Sequence, residues 1–432
     1  MKSACTTLLP SALRLFGYAL GFTLLFVLGC YSFYIMQPGF VSQSVRLEIS
    51  IYNLIFVLPV VGGTAVCCSL VRNDFLRSLL VICALLVTIP MAVLLVMSSY
   101  SSIFFCFISI SLLTLFFFTD RMRALCFTPA SISFKCIAII SLFPVIALFG
   151  EITRLGGWSY FNLNPLEVYK YRFALREVYI SPVYGYLFGW VKDVFLPVLI
   201  LLAVISRSKL FLLVLVVLSI ILYGVSSHKS VLVMGGLTWF VYVFFRRIHI
   251  YLFFVLIGFL FVHILSAGIV QVYVENFFVH RVFFVPSLLN YMYQEFFLSN
   301  GFVYYSDKIL SAVFEYQYDL PVPNLIGREF YSRPELLANA SMFALGYANL
   351  GYFGLLIYLI ILFIILFYLK GLSDSYAKQR IVFSINFFPL FYLLTSADLP
   401  TTLLTGGLFF SLGLSFLLCS NPAIVKLANH HA

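Results

Sequence analysis

Apolar residues run along this chain in blocks long enough to cross a bilayer, separated by short basic turns and by two long polar stretches. A crossing helix needs about 20 mainly apolar residues, because hydrocarbon offers no partner for an unbonded backbone group. On that ruler the sequence predicts twelve spans: 12–36, 49–71, 79–98, 101–119, 134–150, 194–206 (with part of 183–193), 208–226, 230–245, 250–270, 351–369, 381–397 and 402–419. The first follows Lys2 and Arg14. Its apolar run is too long for a signal peptide and shows no convincing small-residue cleavage site, so it reads as an uncleaved anchor.

Segment 335–369 is too long for one span, since its 35 residues would give about 52 Å of helix against a hydrocarbon core of about 30 Å. Its first half is rich in small residues, from Ala338 to Gly354. That half, 336–349, is expected as a helix at or dipping into the outer face, packed closely against neighbours. The expected fold is therefore an all-α polytopic membrane protein. Residues 1–432 form a single membrane domain, with long loops at 151–193 and 271–350, the second carrying surface helices.

Composition strengthens this picture. Of 432 residues, 63% are hydrophobic and 10% charged, where a soluble domain is nearer half apolar and a quarter charged. Too little polar surface remains to cover so large a core. A soluble enzyme, a disordered chain and a nucleic-acid-binding domain are excluded, despite a net charge of +10. The nine cysteines lie in or beside apolar segments, with no CxxC pair and no zinc spacing. They read as small packing residues.

Charge sets the orientation. Short loops on one side carry Arg72 and Arg77; Arg121, Arg123 and Lys135; Arg207 and Lys209; Arg246 and Arg247; and Lys370, Lys378 and Arg380. With Lys2, Arg14 and Lys426 they make up more than half of the 26 Lys and Arg residues. The positive-inside rule places these loops and both termini in the cytoplasm. The long loops then face outward with Arg154, Lys170, Arg172, Arg176 and Lys192 in one, and Arg281, Lys308, Arg328 and Arg333 in the other. Arg46 and Lys229 occupy shorter outer turns. These outer cations either pair with acids on the same side or serve a ligand.

Arg172 and Arg176 are four apart, so a helix would put both guanidinium groups on one face. Such a fork suits a phosphate or diphosphate; it suits a surface helix with Glu167 and Glu177 as partners nearly as well. The turn Ser226-Ser-His-Lys-Ser230 joins two spans so short that it can hardly clear the interface. A lysine at that depth is costly unless it meets an anion, which makes Lys229 a phosphate candidate. His228 could move a proton or be structural.

In the second long loop, Tyr291, Tyr293 and Glu295 offer aromatic platforms and a carboxylate, the usual means of holding a sugar and accepting a hydroxyl proton. A half-buried amphipathic helix would use the same residues. Asn339 lies in the small-residue segment, and Asp398 in an outer turn where it could bind a hydroxyl or cap a helix. Phosphate-binding glycine loops, HExxH and GxSxG are absent.

Taken over the whole chain, these features resemble the O-antigen repeat-unit polymerases of Gram-negative inner membranes. The resemblance rests on about a dozen spans with large loops after the fifth and ninth. The residues that carry it are Tyr169-x-x-Arg172, Trp190 and Pro197, His228-Lys-Ser230, Arg281-x-Phe283, Tyr291 through Phe297, Asn339-Ala340, Gly351-x-x-Gly354 and Thr401-x-x-Leu-Thr405-Gly-Gly407. The Arg-x10-Gly motif of some members does not occur in either loop, which argues against a mechanism with two matched arms.

The resemblance implies a glycosyltransferase that moves a nascent glycan from undecaprenyl diphosphate to the non-reducing end of a new lipid-linked repeat unit, in lipopolysaccharide biosynthesis. It implies a chain-length regulator as partner. Arg172, Arg176, Lys229 and Arg281 would bind the diphosphate, and Glu295, Asp398 or His228 would act on protons. Tyr291, Tyr293 and Asn339 would shape the sugar cleft. The outer loops show no carboxylate cluster with metal-ligand spacing, so neither metal nor other cofactor is expected. Two rivals remain: an O-antigen ligase using a lipid A–core acceptor, and a non-enzymatic lipid-oligosaccharide flippase or transporter.

Overall fold

The computed structural model describes the chain apart from residues 1, 41–47, 99, 126, 129–131, 165–166, 308–309 and 430–432, and apart from the side chains of 2–11, 37–40, 169, 276 and 277. Arg46, Lys308 and Cys126, and the side chains of Cys5 and Tyr169, lie outside the described residues. The described chain is a succession of helices without a strand. Among the described residues, nine helices are long and apolar enough to cross a membrane, or ten if the bent pair Leu408–Cys419 and Pro422–Asn429 is one span.

Polar residues placed one step ahead of apolar blocks start several of these helices. Asn73 Oδ1 accepts from Leu76 N, Ser101 Oγ from Phe104 N, Ser133 Oγ from Cys136 N and Ser208 Oγ from Phe211 N, at 3.1–3.3 Å. Each satisfies a backbone N–H that the helix itself cannot.

The difference from twelve expected spans has identifiable causes. The spans expected at 230–245 and 250–270 form one apolar run, Ser230–Leu265, interrupted only by a 3-10 turn at Phe245–Arg247. The expected span 402–419 is broken by Gly407, whose φ of 73° is left-handed. Beyond this break, helix Leu408–Cys419 has 12 residues, about 18 Å of helix and short of the bilayer core. Helix Tyr376–Thr395 covers the expected span 381–397 but opens on a polar first turn. At 335–369 the helix begins at Met342, not at 336, and the backbone breaks at Leu350 and Gly351 (φ 61°). A Cβ on Gly354 would lie 2.1 Å from the Gly346 carbonyl oxygen, which explains the small residues there.

Three wide π-helical segments, Ala84–Thr88, Val191–Phe195 and Glu275–Phe284, share one feature: each is followed two residues later by a proline, Pro90, Pro197 or Pro286. Proline cannot donate to the carbonyl four residues back, and its ring crowds that carbonyl. The preceding residue bonds five back instead, as Leu196 N does to Val191 O. Proline is not sufficient, because Pro59, Pro144 and Pro389 sit inside helices that stay α throughout.

Packing divides the chain into two compact units. The first comprises Met1–Arg123, Arg247–Leu366 and Leu393–Asp398; the second comprises Ala124–Arg246, Phe367–Tyr392 and Leu399–Ala432. The sequence reads as a single membrane domain; the chain packs as two units. In the first, the span Asp74–Met97 is buried along its whole apolar window. In the second, helix Tyr376–Thr395 is the polar seam. Arg380, 2% exposed, lies over the Tyr242 ring at 4.1 Å and donates to the Tyr242 carbonyl. Asn386 bonds Ser411 and Ser415 at 2.8 and 2.7 Å. Interhelical hydrogen bonds of this kind hold helices together where lipid supplies no hydrophobic drive.

Candidate functional site

In the second unit, Arg172 and Arg176 lie on helix Val168–Val178, which buries Val168 and Leu175 and leaves both arginines exposed. The Arg176 guanidinium lies over the Phe173 ring at 5.0 Å. No carboxylate among the described residues pairs with Arg172, Arg176, Lys229 or Arg281, whereas Arg77, Arg154, Lys192, Arg328 and Lys378 each have one. Glu167 and Glu177 do not neutralise the helix's arginines.

The stretch around this helix also fixes the His228 turn. Helix Lys209–Ser226 ends with carbonyls that lack an intrahelical partner. Asn162 N donates to Gly224 O at 2.9 Å, and the Tyr179 hydroxyl donates to Val225 O at 2.8 Å. The chain then turns through Ser227, at a left-handed φ of 53°. Tyr179 stacks on Tyr184 at 3.9 Å, Tyr184 stacks on Phe188, and Phe188 meets the His228 ring at 4.8 Å. Burial, and then the positive charges of Arg172 and Lys192, push the His228 imidazole down to about 4. It is therefore neutral at physiological pH, beside an exposed Lys229.

Lys192 brings in residues that sequence reasoning misses. Hydropathy places it among the ordinary outer-loop cations and gives Asp193 no role. Both lie in the π segment Val191–Phe195, inside the span Pro182–Ile205. The Lys192 ammonium donates to Asp193 Oδ1 and lies 4.9 Å from the Tyr392 ring centre. Asp193 is 5% exposed. The signal in the sequence is an adjacent Lys-Asp in an otherwise apolar run, since ionisable residues inside spans mark functional sites by default.

The first unit holds the other expected residues. Arg281 is exposed on the π segment Glu275–Phe284, next to His280, which burial and then the Arg281 charge push down to about 4. Glu295 is on the exposed side of helix Val285–Asn300, and desolvation raises its carboxyl above the usual value. Asn339 is exposed in the irregular stretch before Met342.

Tyr291 and Tyr293, expected to shape a sugar cleft, are both fully buried. Tyr291 donates to Met91 O at 3.1 Å and stacks on Tyr100, while Tyr293 donates to Ala338 O at 2.8 Å. Ser287, one turn before Tyr291, reaches the carbonyls of Leu86 and Val87 at the π segment. Both tyrosine hydroxyls are thus directed at backbone carbonyls. Asp398 is also enclosed, 4% exposed, and accepts from Tyr358 at 2.8 Å. Among the described residues no group of three His, Cys, Asp or Glu is placed to hold a metal.

No family model, no curated protein and no solved structure matches this chain.

Proposed function

We propose that this chain is a polyprenyl-diphosphate-dependent membrane glycosyltransferase, an O-antigen repeat-unit polymerase. It lengthens undecaprenyl-diphosphate-linked glycan on the periplasmic side of a Gram-negative inner membrane, alongside a chain-length regulator. Its topology has both termini in the cytoplasm and two outer loops. One observation carries the reading: Arg172 and Lys192 both act electrostatically on His228, which sits on the same turn as Lys229. Positive charge from two neighbouring helices thus reaches a polar turn that carries Lys229; Lys192 has Asp193 as its partner, while no carboxylate among the described residues pairs with Arg172.

The chemistry follows. The acceptor hydroxyl attacks the donor's anomeric carbon, the glycosidic bond to oxygen breaks, and negative charge grows on the departing diphosphate. Fixed cations aimed at that charge lower the barrier. Lys229, Arg172 and Arg176 bind the leaving group in the second unit. Arg281 is the exposed candidate cation of the first unit. Of the first unit's two candidate bases, Glu295 is accessible with its proton affinity raised, and Asp398 is enclosed by Tyr358. His228, neutral, donates or accepts one hydrogen bond.

The flippase reading draws on a specific observation. Lys192 and Asp193 lie inside one apolar span, and His263 lies inside another, 0% exposed between Ser32 and Glu275. Buried ionisable groups within spans are what transporters use.

The lipopolysaccharide of cells carrying Arg172→Ala separates these readings. Polymerase function predicts a single capped repeat unit without long chains. Loss of even the single unit favours a flippase, and transfer to lipid A–core by purified protein without chain lengthening favours a ligase.

A further inference from the structure

Away from the candidate site, the first unit has a groove of about 490 Å³ between helix Lys2–Phe40 and helix Ile248–Leu265. Exposed apolar side chains are ordinary on a membrane protein. A concavity with a polar end is not. Gly17 and Gly21 lie along its floor, one turn apart, and Phe253 forms a wall so close that a Cβ on Gly21 would come within 2.8 Å of it. A Cβ on Gly17 would meet nothing, so the groove is open there. Its lining runs from Leu13 to Leu24 on the first helix, about 16 Å of helix axis, long enough for most of an acyl chain.

One end is cationic and polar. Arg14, Tyr18 and His249 line it, and the Tyr18 and His249 rings lie 5.9 Å apart. His249 Nδ1 is buried with no hydrogen-bond partner, a cost that a ligand would remove. Arg77 and Asp74, tied to each other at 2.6 Å, bring one positive and one negative charge within reach of Tyr18 and His249.

We propose that this groove binds one anionic bilayer phospholipid, its acyl chain over Gly17 and Gly21 and its phosphate against Arg14 and His249. A soluble phosphate would leave the apolar length of the groove empty. A zwitterionic lipid would bring a second, positive head charge towards Arg14.

The test uses the full-length protein in nanodiscs of equimolar phosphatidylglycerol and phosphatidylethanolamine, extracted into mild detergent and weighed by native mass spectrometry. The expected result is one retained phosphatidylglycerol. Gly17→Leu, whose Cβ meets nothing within 4 Å, projects into the open groove and is expected to lower retention at least tenfold. Arg14→Gln is expected to keep a bound lipid while abolishing the preference for phosphatidylglycerol. Thermal unfolding of each variant verifies that it is folded. Equal retention by folded Gly17→Leu protein, retention of phosphatidylethanolamine alone, or retention of undecaprenyl phosphate in cell-extracted protein each overturns the proposal.

Discussion

Helix Val285–Asn300 and the turn Ser226–Ser230 look alike in sequence: each sets polar and aromatic residues beside apolar runs. Structurally they are opposites. On the helix, Ser287, Tyr291 and Tyr293 direct their hydroxyls at the carbonyls of 86–91 and 338, and Asn290 accepts from Ser341 at 2.6 Å. At the turn, the residues around it hold the backbone, through Asn162 N and the Tyr179 hydroxyl, and Lys229 is left exposed. Residue types say which groups are able to bind a ligand; whether those groups are already spent decides which of them do.

The sharpest way to break this contrast is to truncate one member of each region. Tyr291→Ala removes a fully buried ring, and the expected cost is about 3–5 kcal/mol of stability. It should appear as lost expression or a large drop in Tm, with chain polymerisation failing only because protein is missing. Arg172→Ala should leave Tm unchanged and cut polymerisation by about 100-fold or more. If Arg172→Ala unfolds the protein, or Tyr291→Ala leaves Tm intact, the two regions have been assigned the wrong way round.

The Lys192–Asp193 pair tests a mixed case, buried like the helix but charged like the turn. Asp193→Asn leaves a buried ammonium without its counter-charge, at an expected cost of about 3 kcal/mol. The double variant Lys192→Met/Asp193→Asn should recover much of that stability while losing activity. Recovery of both would make the pair purely structural. Lower on the scale, Tyr293→Phe deletes only the hydroxyl bonded to Ala338 O. Leaving that carbonyl unpaired should cost about 1–3 kcal/mol in thermal unfolding, with activity per folded molecule preserved. A drop in that specific activity would return Tyr293 to the sugar cleft.

Much of the fold is legible in the sequence because long apolar runs admit few solutions in lipid. The breaks are not. Gly407 ends a helix where hydropathy runs on, and Leu350 and Gly351 kink one that composition shows only as rich in small residues. Burial is the illegible part of the site. Tyr291 and Tyr293 face inward because Pro286 follows a π segment and Ser287 and Tyr291 dock on Leu86–Met91, a tertiary fact with no local spelling. Arg172 and Arg176 are legible, since i, i+4 spacing on a helix needs only the helix. Asp193 escapes because hydropathy puts its neighbour Lys192 in a loop, whereas the helix containing both begins at Pro182.

The smallest expected effect is the most direct probe of the turn. His228 is held near 4 by burial and by the charges of Arg172 and Lys192, against an ordinary value of about 6.5. The sign follows from linkage. The unfolded chain binds the proton more readily, so the group's contribution to stability is present above about 6.5 and is lost as pH falls towards 4. For one half-buried imidazole the loss in thermal unfolding is modest, about 1 kcal/mol. Position-labelled His228 followed by NMR reports the same thing without unfolding. Arg172→Ala removes a positive neighbour and must raise the His228 pKa. Inorganic pyrophosphate, seated among Arg172, Arg176 and Lys229, must raise it further in the native protein and less in the variant. A His228 that titrates near 6.5 and ignores both changes would mean that the cations do not share a site, and the diphosphate reading of this turn would fall with it.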